Sequence, residues 1–387
     1  MKTKGISPIQ KEMNKWYKRS SFYLLGIVMV FLLIGILTSI QPAYRLSSST
    51  LHHWTSQVNG ASFLRLMGME NRIFIEAYPD EQEEIKMSEL VFQTVTSIKL
   101  TDPRTLLGRE IPGFSVFDGE IIVAGEGTDY TNMPIESSPP MDVFDQEKEA
   151  VVKQEEEEES KEKQEPTQST GDRNVVFIYH SHNRESFLPL LPKGTKPDEA
   201  YHSEANITLV GERLAKGLQN NGIGATVDKT DIPSILKEEG LNYYESYDAS
   251  RPVVETAMKQ DDNLQYYFDL HRDSLPKDIT TTKIHGKSYA RIFFVIGGKF
   301  AKHEENLKLA NELHKRVEKM YPGLSRGVYT KKDAGSNGKY NQDLSPNAIL
   351  IEFGGLENNL DELYRSADAV ADVFSDFYWK AEKVNAN

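Results

Sequence analysis

Four short apolar runs constrain what the C-terminal part of this chain can fold into: NVVFIYH (174–180), YYFDLH (266–271), RIFFVI (291–296) and AILIEF (348–353). They are continuous rather than alternating in hydrophobicity. A strand with one wet face alternates, whereas a strand covered on both faces does not. Between them lie stretches with apolar residues at helical spacing: Ile207, Leu209, Val210, Leu214 and Leu218 after Glu204, then Leu307, Ala310, Leu313 and Val317 within 301–319. A last helix is predicted from about Leu360 to Trp379, and a further turn and strand at Gly222–Val227. Strand and helix alternating in this way predict an α/β domain over 173–387, its central sheet mostly parallel or mixed and covered by helices on both faces.

Three of these strands end in polar residues that resist burial unless something pairs with them. The first ends His180-Ser181-His182 with Glu185 close behind, the second Asp269-Leu270-His271-Arg272-Asp273, the third Glu352-Phe353-Gly354-Gly355. Ligands of α/β sheets gather outside the carboxyl ends of strands, so the three clusters are expected to converge. The chain contains no cysteine, which excludes disulfides, thiolate metal sites and cysteine nucleophiles. Two imidazoles and one carboxylate, with a fourth position left for water, make a catalytic zinc set. His182, His271 and Glu185 supply it, and zinc lowers the pKa of coordinated water to about 7. Glu352, outside the ligand set, acts as general base and passes the proton to a leaving amine. His180, Asp269 and Asp273 orient the ligands, and Arg272 or Lys332 can hold substrate carboxylates. Two alternatives stay open. Residues two apart on a strand face the same side, so His180 can stand in for His182. Glu204, at the opening of the next helix, can stand in for Glu185, although an acid there is also favourable beside the helix N-terminus.

The N-terminal part reads differently. Residues 22–40, FYLLGIVMVFLLIGILTSI, run for 19 positions without a charge, enough to cross a hydrocarbon core of roughly 30 Å at about 1.5 Å per residue. Six Lys or Arg lie between Lys2 and Arg19, and only Arg45 follows for many residues. The positive-inside rule then predicts a cytoplasmic tail (1–20), a transmembrane helix (21–41) and an extracytoplasmic remainder. The apolar stretch exceeds a signal-peptide core of about 7–15 residues, and no small-x-small cleavage site follows cleanly. Residues 42–140 are expected to form a small extracytoplasmic spacer or partner-binding domain. Residues 141–172, with five consecutive glutamates, have too little apolar content to offset chain entropy and are expected to form a disordered acidic linker. The net charge of -13 argues against nucleic acid.

The combination of IYHSHNRESF (178–187), DLHRD (269–273), YNQDL (340–344) and ILIEFGGLENN (349–359) resembles the stage II sporulation protein P family, membrane-anchored peptidoglycan hydrolases of endospore-forming bacteria. The resemblance covers about residues 173–380; Ser181 stands where the family usually has threonine. More distantly the chain is similar to zinc-dependent N-acetylmuramoyl-L-alanine amidases. The resemblance implies an amidase-like fold, His182 and His271 as zinc ligands and Glu352 as catalytic acid/base. Those amidases take their ligand glutamate from the following helix, which keeps Glu204 open. It also implies cleavage between N-acetylmuramic acid and L-alanine, endopeptidase action on cross-links, and work during forespore engulfment between the forespore and mother-cell membranes. Stage II sporulation proteins D and M are the implied partners, D trimming denuded glycan strands and M tethering the complex. A competing expectation is a non-catalytic wall-binding scaffold. A membrane receptor is disfavoured because the cytoplasmic tail is too short for a signalling domain.

Overall fold

The computed structural model describes residues 119–135, 139–145, 149–150, 166–332 and 336–385. The expected transmembrane segment, most of the expected spacer domain and the glutamate run lie outside them. Among the described residues no helix is long and apolar enough to cross a membrane.

Each apolar run becomes a strand: β2 (Asn174–Tyr179), β4 (Tyr266–His271), β7 (Ile292–Gly297) and β9 (Ala348–Phe353). With β1 (Glu120–Ala124), β3 (Gly224–Val227) and β8 (Ser325–Lys331) they form one seven-stranded sheet, ordered β1-β8-β7-β9-β4-β2-β3. The sheet is mixed. Strands β3, β2, β4 and β9 run parallel, β7 is antiparallel to β9, β8 is parallel to β7, and β1 is antiparallel to β8. The carboxyl ends of β2, β4 and β9 therefore lie side by side, with Tyr179 opposite Asp269 and His271 opposite Glu352. This adjacency is what brings the three polar clusters to one edge.

Both faces are covered, which explains the continuous apolar runs. Helices α1 (Thr208–Asn220), α4 (His303–Met320) and α5 (Leu360–Asn385) bury one face, where Ile178, Phe268, Leu270, Ile351, Leu214, Leu313 and Phe374 share one core. Each such side chain contributes roughly 1.5–3 kcal/mol on burial. Helix α2 (Ile232–Glu239) precedes α3 (Ser246–Gln260), and α3 sets Val254 against Phe177, Tyr179 and Tyr267 on the opposite face. Helix starts carry local signals. Asn359 Oδ1 accepts from Glu362 N–H while Glu362 accepts from Asn359 N–H, a capping box at the start of α5. Helix α1 begins at Thr208 rather than at Glu204, because Asn206 Oδ1 accepts from Thr208 N–H at 2.9 Å and its amide holds the carbonyls of His202 and Ser203 in a loop.

The structure corrects the expected boundaries. Glu120–Ala124, assigned from sequence to the 42–140 spacer, is the edge strand of the main sheet and pairs with β8. The 3-10 turn Met141–Asp145, assigned to the linker, packs Met141, Val143 and Phe144 against Tyr201 and Tyr243. The physical reason for the first is the open edge of β8, which would otherwise present unpaired backbone, and for the second the apolar side chains of Met141, Val143 and Phe144. Strand β8 (SRGVYTK) escapes a hydrophobicity reading because buried Ser325, Arg326 and Thr330 interrupt it. A separate hairpin, β5 (Thr281–Ile284) with β6 (Lys287–Ala290), turns at His285 and Gly286, both at positive φ, and is likewise silent in the apolar pattern.

Candidate metal centre

Strand β2 stops at Tyr179, and the chain turns at once. Glu185 N–H donates to the His182 carbonyl at 3.0 Å, so the two side chains stand on one side of a tight turn. The turn is fastened on every side. Arg184 grips Asp231 through Nε (2.7 Å) and Nη2 (2.5 Å), Ile207 N–H donates to the Glu185 carbonyl, and Glu185 forms a β-bridge with Tyr201. His182 Nδ1 lies 3.5 Å from one Glu185 oxygen, and His271 Nδ1, from the end of β4, lies 3.7 Å from the other. All three side chains are at most 2% exposed.

These spacings can be tested against a metal. Two ligand atoms at zinc bonding distance around a tetrahedral ion sit roughly 3.3 Å apart. One ligand atom from each of His182, Glu185 and His271 lies within 4.8 Å of the other two. The electrostatics also ask for a cation. Burial alone lowers the pKa of His271, but the carboxylates of Asp269, Glu185 and Glu352 outweigh it and raise it to about 10. Burial pushes the Glu185 carboxyl up, and the contact with His182, together with His271 and Arg272, outweighs that and holds it below the ordinary value. Two imidazoles among carboxylates in a buried pocket fit a divalent cation.

Asp269 stands against the second imidazole, and Ser181 fastens Asp269. Asp269 Oδ1 lies 3.1 Å from His271 Nε2, and the same carboxylate accepts from Ser181 N–H at 2.8 Å and from Ser181 Oγ–H at 2.6 Å. It thereby ties the ends of β2 and β4 together and leaves His271 Nδ1 toward Glu185. Asp269→Asn is expected to weaken metal binding by about 10–100-fold, read by titration against a competing chelator; unchanged affinity would remove Asp269 from this role.

Glu352 sits beside His271 in the strand register, 8% exposed, and lines a narrow cavity of about 10 Å³ with Pro134, Tyr247, Tyr329, Lys331, Tyr340 and Leu350. It lies outside the three-residue ligand group. The turn after it needs Gly354, whose φ is +61° and where a Cβ would meet Asn358 Oδ1 at 2.6 Å. Asn358 Oδ1 also accepts from Gly355 N–H, and Asp273 N–H donates to the Gly354 carbonyl, joining the ends of β4 and β9. Residues that carry no sequence signal complete the wall. Tyr243 stacks on His182 at 4.5 Å between ring centres, and Tyr247 lies against both His182 (5.3 Å) and His271 (6.0 Å). Their spacing of four is the only hint, and it is equally a helix-face pattern.

Glu204 is exposed in the loop before α1 and is not part of the ligand group. His180 points to the opposite face of the sheet, with Nδ1 on the Asp228 carbonyl at 3.1 Å and its ring against Gly211. It does not join the ligands, and the expectation that it orients them finds no contact here; with β2 ended at Tyr179, the two-residue rule does not extend to His182. Arg272 donates its backbone N–H to Glu185 at 2.8 Å, but its guanidinium is buried over the Tyr201 ring. Asp273 pairs with buried Arg326 at 2.5 Å rather than with a ligand. Lys332 stands 3.8 Å from Glu120, beside the edge strand.

Burial lowers the pKa of His180 to about 4, only partly offset by the Asp228 carbonyl and Asp269. The ring is neutral in the folded state at neutral pH. As pH falls from about 6.5 the unfolded chain takes up a proton that the folded chain refuses until about 4, so stability falls across that window. The loss is roughly 3 kcal/mol for this group. Urea unfolding at pH 7 and pH 4 is expected to show that excess loss in the unaltered protein and not in His180→Leu.

The model of the stage II sporulation protein P family matches residues 101–375. Stage II sporulation protein P of Bacillus subtilis (strain 168) is 52% identical over 377 residues, covering 96% of this chain and 94% of that protein. Among solved structures, a metallo-carboxypeptidase from Burkholderia cenocepacia aligns with a TM-score of 0.32 and 13% identity, over 55% of this chain and 60% of its own. This chain belongs to the stage II sporulation protein P family.

Proposed function

We propose that this sporulation protein is a membrane-anchored, zinc-dependent peptidoglycan hydrolase. It acts as an N-acetylmuramoyl-L-alanine amidase that releases stem peptides from glycan strands, with endopeptidase action on cross-links. The observation that carries the reading is the buried His182–Glu185–His271 group set beside Glu352 at three neighbouring strand ends. Two imidazoles and a carboxylate suit zinc, which would supply Lewis-acid polarisation of the scissile carbonyl and activation of water. Glu352 takes the proton from the attacking water and delivers it to the nitrogen of the departing L-alanine. Asp269 holds His271 through Nε2, and the wall of Tyr243 and Tyr247 keeps the ligand imidazoles in place and limits water.

The 22–40 stretch would anchor the chain with its N-terminus in the cytoplasm and the catalytic part in the space between forespore and mother-cell membranes. Stage II sporulation proteins D and M are the proposed partners in engulfment. The test is purified full chain in detergent on isolated peptidoglycan. Release of peptides with new L-alanine amino termini, lost with chelator and regained with zinc, is expected. Stoichiometric binding to the wall with no release would favour a scaffold instead.

A further inference from the structure

An enzyme that cuts a polymer network must let it touch the reacting groups. Here His182, Glu185 and His271 are at most 2% exposed and Glu352 8%. The space at Glu352 holds only about 10 Å³, far below the roughly 300–1,000 Å³ common for small-molecule sites. Part of what closes it is a segment of the same chain. Met133 is extended (φ -70°, ψ 152°) and 2% exposed against Tyr247, Tyr329 and Tyr340. Pro134 shares the cavity wall with Glu352. Ile135 donates its N–H to Asp273 Oδ1 at 3.1 Å and accepts from Ser274 N–H at 3.3 Å, just beyond the ligand His271. Its own side chain is 55% exposed, so apolar burial does not hold it there. It is held through its main chain, donor and acceptor together, the way an extended peptide is recognised.

We propose that Asp273 and Ser274 form a docking strip for the extended peptide of the substrate, and that Met133–Ile135 occupies this strip as a built-in competitor. The inference rests on the peptidoglycan-hydrolase reading and adds a subsite to it. The segment is latched on both sides. Arg326, ion-paired to Asp273, also donates to the Asn132 carbonyl. Beyond it, Arg184 Nη1 donates to the Phe144 carbonyl at 3.0 Å and Lys237 pairs with Asp145 at 2.5 Å. A stem peptide takes over the Asp273 and Ser274 contacts when Met133–Ile135 withdraws. Affinity is then reduced by the fraction of molecules in which the strip is free.

The test is calorimetric titration of a muramyl tripeptide into the full zinc-loaded chain carrying Glu352→Gln, which prevents turnover. The same chain is titrated with Met133→Ser, which removes the apolar anchor, and with Ile135→Pro, which removes the N–H. Binding about tenfold tighter in both is expected. Because Ile135→Pro can disturb folding, hydrogen exchange on the chain with Glu352→Gln alone is a second readout. Amides at 133 and 135 around Pro134 should lose protection when the peptide binds, while Ser274 stays protected. Equal or weaker binding with Met133→Ser, no binding in any variant, or full protection of Ile135 in the peptide complex would overturn the proposal. Failure of the hydrolase reading looks different: neither the unaltered chain nor Met133→Ser with Glu352 intact releases peptides from the wall.

Discussion

His271→Ala is expected to reduce bound zinc from about one ion per chain to near none and to lower peptide release from peptidoglycan by at least about 10³-fold. The size follows from what the residue joins. His271 is one of two imidazoles in the ligand group, and it also stands between Asp269 and Glu185 at 3.1 and 3.7 Å. Alanine removes a ligand and, with the zinc gone, leaves the carboxylates of Asp269 and Glu185 buried without the cation that balances them. Breaking a buried ion pair in this way costs about 3–5 kcal/mol. Loss of zinc should therefore be accompanied by a lower unfolding midpoint, and circular dichroism at low temperature keeps the two effects apart. Full activity in a folded His271→Ala protein would rule out the proposed centre.

Glu352→Gln is expected to separate chemistry from metal binding. The isosteric amide keeps the strand register opposite His271 and the turn through Gly354 and Asn358. It cannot accept a proton from water. Peptide release should fall by about 10²–10⁴-fold with zinc content and stability near those of the unaltered protein, measured by metal analysis and urea unfolding. A variant that loses its zinc would place Glu352 among the ligands and leave the proton transfer without a residue.

The parts of this fold that could be read from sequence are those fixed by local chemistry. Continuous apolar runs marked β2, β4, β7 and β9 because both faces of the sheet are covered. The polar ends of β2, β4 and β9 stood out because such residues do not belong in a core. Their order in the sheet was not legible, since neighbouring strands are set by crossovers and not by residue pattern. The choice between His180 and His182 turns on one residue, because β2 ends at Tyr179 and the next residues leave strand geometry. The nearness of Glu185 depends on the His182–Glu185 turn, whose closing bond is between backbone atoms and leaves no mark in the side chains. Strands β1 and β8 were hidden for opposite reasons. EIIVA is short and followed by Gly-rich, loop-like sequence, while β8 carries Arg326, whose burial is tolerable because Asp273 from another strand end and the Asn132 carbonyl meet it. Tyr243 and Tyr247 read as one face of a helix, and only the tertiary fold turns that face toward the imidazoles.

Anomalous diffraction at the zinc absorption edge from zinc-loaded crystals tests the buried three-residue centre most directly. The expected result is a single strong peak within bonding distance of His182, Glu185 and His271, with Glu352 nearby but not bonded. No peak at that position, or a peak bonded by Glu204 or His180 in place of Glu185 or His182, would contradict it.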